Sequence, residues 1–254
     1  EIQAGETSAA ANADSTGGQI SITTGASTTA SSGHFIVRTA DAGPAGITGD
    51  IVLSTGVSTA GLSGGIYLGT GTAVGDAAGD IEIKVGSGDT GPGGDLNMAA
   101  GATTTAPGTS GGAVTITTGK SAKTSSGNMI MRTDDGGDSG VSGYAVLSTG
   151  NATGTGPSGD LWMGSGGSVG GHGGDVVITV GTGNTGVGGQ LVLSSGKSTG
   201  GHSGAIHMGT HQSTGGHGGD INVKVGTGNT GAGGHVEIQA GETSAAANAD
   251  STGG

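Results

Sequence analysis

Residues 79–85 read GDIEIKV and residues 219–225 read GDINVKV. A glycine opens each stretch, aliphatic side chains follow at every second position, and a valine ends the alternation. A period of two places alternate side chains on one face of an extended chain, so each stretch predicts a strand with one apolar face. Helical spacing is absent.

The same pattern recurs along the whole chain. Its opening glycine stands at Gly18, Gly33, Gly49, Gly64, Gly79, Gly94, Gly112, Gly127, Gly143, Gly159, Gly174, Gly189, Gly204, Gly219 and Gly234, and Gly254 opens the next copy. Most steps match that from Gly64 to Gly79, and a few are one position longer, as from Gly33 to Gly49. The two longest run from Gly94 to Gly112 and from Gly234 to Gly254. With the opening glycine as column 0, columns 2 and 4 are aliphatic or Met, as in Ile20 and Ile22, Ile51 and Leu53, or Leu161 and Met163. Column 6 is small or β-branched: Thr24, Thr55, Val85, Thr118, Val180 and Val225.

Strands that recur at this spacing predict an all-β chain, a single continuous β-solenoid (β-helix) of about fifteen 15–16-residue coils. The remainder of each repeat is Gly, Ser, Thr, Ala and Asn, which predicts tight turns, a thin second side and a flattened two-layer cross-section. A bundle of Gly-rich, polyproline-II-like helices is the competing arrangement, and the β-branched columns speak against it.

A larger period encloses the small one. EIQAGETSAAANADSTGG occupies residues 1–18 and again 237–254, so that Glu237 restarts what Glu1 began. Neighbouring repeats share only their pattern, so this identity has another source. Residues 1–254 therefore read as one continuous solenoid segment of a longer tandem array whose unit runs from Glu1 to Val236.

Composition bounds the function. Gly is 64 of 254 residues and the formal net charge is −12, with only seven Lys and Arg. Phosphate recognition needs clustered cations, so no nucleic acid is expected. No apolar run is long enough for membrane insertion. Without cysteine there is no disulfide or thiolate metal site. The longest insertions, at 102–111 and 242–253, are small and almost uncharged. They offer no acid–base machinery, and the chain reads as no enzyme.

Column 3 should face outward, yet it holds Ile36, Val52, Tyr67, Ile130, Val146, Trp162, Val177 and Val192. Stacked coils would align these into exposed apolar ladders, and such patches mark contact surfaces. They are the candidate lateral contacts between copies of the chain. Column 5 is Gly69, Gly164 or Gly209 where column 3 is Tyr67, Trp162 or His207, which predicts a ring folded over bare backbone. Arg38 with Asp41, and Arg132 with Asp134, Asp135 or Asp138, predict ion pairs in the longer turns.

Residues 170–178, GGHGGDVVI, resemble the nonapeptide of calcium-binding repeats-in-toxin β-rolls. That resemblance implies calcium on Asp175, with Asp160 and the DDGGD acids Asp134, Asp135 and Asp138 as further candidates. Calcium takes six to eight oxygens, and the motif occurs in full once. The competing reading is an Asp that bonds its own turn. His172, His202 and His217 share column 13 and raise a transition-metal site against a plain surface ladder. Asn151-Ala152-Thr153 is an N-glycosylation acceptor sequence.

As a whole the chain resembles Gly/Ser/Thr-rich tandem-repeat β-solenoid fibre proteins of cell surfaces and appendages. The resemblance implies an extracellular or cell-surface structural filament, self-assembling end to end or laterally. Copies of itself would be its partners, with surface glycans or cell-wall components as others. The alternative is the stalk of a surface adhesin or virus-like fibre whose binding head lies outside this segment.

Overall fold

The computed structural model describes residues 1–6, 16–104 and 110–241. Among them there is no helix and no β-strand. The expected β-solenoid is therefore not formed, and neither is the flattened two-layer coil. The backbone explains why. The only backbone–backbone hydrogen bonds among the described residues are short-range closures between glycines, such as Gly33 N–H to the Gly25 carbonyl at 3.2 Å. No ladder joins one repeat to the next.

No core forms among the described residues either. No described residue is buried. The chain exposes 25226 Å², whereas a folded monomer of its mass would expose about 9,700 Å² and a fully extended one about 34,000 Å². Ordering one residue costs about 1–2 kcal/mol of backbone entropy, and burying an aliphatic side chain returns about 1.5–3 kcal/mol. Only three columns of each repeat carry such side chains, and the glycine-rich remainder is the costliest backbone to order.

The chain divides into two units, Glu1–Met129 and Ile130–Gly254. In each, the repeat survives as a closed loop. The chain leaves through columns 1–6, bends through columns 7–14, and returns so that the next opening glycine meets the column-6 residue. In the first unit a β-carbon on Gly33 would lie 3.5 Å from Thr24 Cβ, and one on Gly64 3.4 Å from Thr55 Cγ2. In the second, one on Gly219 would lie 3.4 Å from Thr210 Cγ2. These are ordinary van der Waals distances, so a β-carbon there would touch the column-6 side chain without displacing it.

The closest approaches to a column-6 side chain follow valine. A β-carbon on Gly94, Gly189 or Gly234 would lie 2.8, 2.5 or 2.7 Å from Cγ1 of Val85, Val180 or Val225. The contact at the loop base persists at the longer spacings. Gly112 N–H still reaches the Gly101 carbonyl at 2.8 Å, and Gly18 N–H the Gly5 carbonyl at 2.9 Å. The base is thus the same at both lengths, as the slow growth of closure entropy with length permits.

Two turn chemistries recur in most of the loops, while the longer loops turn through Gly46 N–H to the Gly43 carbonyl at 3.1 Å and Gly140 N–H to the Gly137 carbonyl at 3.0 Å. In the first, a column-9 serine hydroxyl accepts the N–H three residues on. Ser27 Oγ takes Ala30 N–H at 2.8 Å, Ser58 Oγ takes Gly61 N–H at 3.0 Å, and Ser198 Oγ takes Gly201 N–H at 2.9 Å. Such hydroxyls supply a turn with a local acceptor. In the second, the chain passes through left-handed backbone at Gly75, Gly91, Gly186 and Gly231, with φ of 92°, 105°, 113° and 88°. Three of these follow Asp-Thr or Asn-Thr and belong to the loops whose column 6 is valine. In the remaining loop, Asp76 follows Gly75, and its carboxylate accepts the Ala77 N–H at 2.8 Å.

Candidate functional site

The apolar alternation is present in the structure as a gradient of exposure without burial. Along one repeat of the first unit, Ile51 is 53% exposed, Val52 79% and Leu53 71%. The column expected to face outward is the more exposed one. The column-6 residues are the best covered: Ala4, Thr24, Thr39 and Thr118 are half-buried, and Val180 of the second unit is 41% exposed. The face a partner would cover is thus defined, and nothing among the described residues covers it.

The lateral candidates Ile36, Val52 and Tyr67 lie exposed in the first unit, and Ile130, Val146, Trp162, Val177 and Val192 lie exposed in the second. They form no strand ladder, because no strands stack. Tyr67 does fold over its own backbone, but over column 1. A β-carbon on Gly65 would meet its ring and hydroxyl at 3.1 Å, whereas space is open around Gly69. Space is equally open at Gly164 and Gly209, so the column-5 glycines carry no ring.

The charged candidates remain apart. Among the described residues no group of three or more His, Asp or Glu is placed to hold a metal. Asp175, Asp160, Asp134, Asp135 and Asp138 therefore do not converge on the six or more oxygens calcium takes. Asp134 instead accepts the N–H of Asp135 at 3.0 Å, which is turn chemistry. His172, His202 and His217 are exposed and likewise assemble no site. Among the described residues neither Arg38 nor Arg132 makes the expected ion pair. Arg38 and Asp41 only border one shallow concavity with Thr39 and Ala40. The pair that does form is Lys84 with Glu82 at 2.7 Å, and His235 lies 3.9 Å from Glu237, an ion pair only with the imidazole protonated. Both join residues two apart on one face of an extended segment. Asn151 is exposed, and the second long insertion, 242–253, lies outside the described residues.

What remains is a repeated surface. Among the described residues, columns 1–5 make no backbone–backbone hydrogen bond, and they carry two partly covered aliphatic columns and one more exposed column. Unpaired extended edges of this kind are templates for pairing with another chain. The column-9 serines were present in the sequence and could have been read as turn acceptors from their fixed place in the repeat. No helix among the described residues is long and apolar enough to cross a membrane. The chain matches no protein-family model, no curated protein and no solved structure.

Proposed function

We propose that this chain is a structural segment of an extracellular filament, and that it works by associating with copies of itself. The observation that carries this reading is the exposed apolar alternation. Aliphatic and aromatic side chains recur at fixed columns, and not one described residue is buried. Apolar surface on this scale is driven out of water, and a tandem repeat presents the same surface many times over. A second copy therefore has everything the first one lacks. The exposed Asn151-Ala152-Thr153 acceptor sequence supports the extracellular location.

Sedimentation velocity between about 1 and 100 µM tests the proposal, since micromolar contacts are the weakest a specific interface of ordinary size forms. Growth into species much larger than 23.3 kDa, with filaments visible by electron microscopy, is the expected result. A chain that stays monomeric throughout that range removes the reading.

A further inference from the structure

The charges of the repeat are sorted by column. Asp50, Asp80, Asp95, Asp160, Asp175 and Asp220 stand in column 1, and Arg38, Lys84, Arg132 and Lys224 in column 5, with Glu82 and Glu237 in column 3. The column-1 aspartates make no hydrogen bond or ion pair among the described residues, and neither does Lys224, whereas Lys84 pairs with Glu82 of its own segment at 2.7 Å. Parallel, in-register pairing of two copies would set acid against acid and base against base. For columns 1 and 5 an antiparallel pair does the opposite. Column 1 then faces column 5, column 2 faces column 4, and column 3 faces itself.

We propose that the occupant of this surface is a second copy of the chain, paired antiparallel through columns 1–5. The proposal rests on the self-association reading above and adds its direction and register. Repeat 219–225 illustrates the fit: against its own copy, Asp220 faces Lys224, Ile221 faces Val223 and Asn222 faces Asn222. Against 79–85 of a second chain, Asp220 faces Lys84, Lys224 faces Asp80 and Asn222 faces Glu82. Both aliphatic columns meet aliphatic columns, and the unpaired backbone of each edge gains a ladder. Area does not limit the contact. The chain exposes 25226 Å², about 15,000 Å² more than a folded monomer of its mass, against about 800 Å² per partner in a stable dimer. Because the same columns return in every repeat, two chains can also pair staggered by whole repeats, which lengthens the assembly instead of closing it.

The test exchanges the charges within the strand. The variant carries Asp80→Lys, Lys84→Asp, Asp220→Lys and Lys224→Asp, and its net charge is unchanged. A trace of dye-labelled wild type, tagged through Ser158→Cys in a chain with no cysteine of its own, is sedimented with excess unlabelled wild type or with excess unlabelled variant. Antiparallel pairing predicts that variant associates with variant as wild type does with wild type. The mixed pair should be roughly tenfold weaker, because acid then faces acid. Mixed pairing that is equal or tighter overturns the antiparallel register, and tighter pairing indicates parallel strands. A variant that fails to associate with itself, while the wild type does, also overturns it. If the wild type does not associate at all, the proposed function falls together with the register.

Discussion

Gly189→Ala is the sharpest perturbation of the repeat. Replacing glycine by alanine where the backbone tolerates it stabilises by about 0.4–1 kcal/mol, through the unfolded chain. Gly189 lies outside left-handed backbone, so that gain is available in principle. The added carbon, however, would lie 2.5 Å from Val180 Cγ1. Forcing a methyl into an occupied space costs about 1–3 kcal/mol. Val180 is the valine held closest to its opening glycine, and Asn184, Thr185 and the left-handed Gly186 leave the loop little freedom to move it. The net effect is a loss of about 1 kcal/mol, or roughly fivefold fewer closed loops. Nuclear Overhauser contacts between the Val180 methyls and residue 189 report the closed population. Gly189→Ala should weaken them strongly, and Gly181→Ala, with nothing within 4 Å of its β-carbon, should leave them intact. Backbone contacts across the loop base should return when Val180→Ala is added, giving a non-additive cycle. Undiminished contacts in Gly189→Ala, or strictly additive effects, would refute the argument that the column-6 side chain excludes a β-carbon.

Other outcomes follow from the turns and the charges. Ser58→Ala removes the acceptor of Gly61 N–H at 3.0 Å and should speed exchange at that amide roughly fivefold, for a bond worth about 1 kcal/mol; unchanged exchange would show that the hydroxyl does not hold the turn. Gly186→Ala places a β-carbon at φ 113° and should open its loop by about 1–2 kcal/mol, read from the same Val180 contacts; loops as closed as in the wild type would contradict the left-handed turn. Millimolar calcium should leave the amide signals of Asp134, Asp135 and Asp138 in place, because these acids do not converge; a saturable shift would reinstate a calcium site.

The columns of the repeat were legible in the sequence, and the strands were not. The alternation Ile51, Val52, Leu53 correctly ranks which side chain is most exposed. A period of two says which face wants cover, and is silent about whether the cover lies in the same chain. The solenoid expectation assumed that the next repeat supplies it. The glycines misled for a related reason. Glycine serves both left-handed turns and close approach, and the two look alike as letters. Gly186 and Gly231 are of the first kind, and Gly189 and Gly234, three positions later in each repeat, are of the second. Among the charged candidates, spacing placed Arg38 near Asp41 and grouped the DDGGD acids. Exposed side chains in a turn have water as a partner, so proximity in sequence does not draw them into a site.

The most direct test of the central claim is the amide I infrared band as a function of concentration. A chain that lacks strands alone and gains them against its copies should show no strand band at high dilution, and a growing one in step with sedimenting assemblies. A full strand band in the dilute monomer, lost in one cooperative melt, would contradict the account.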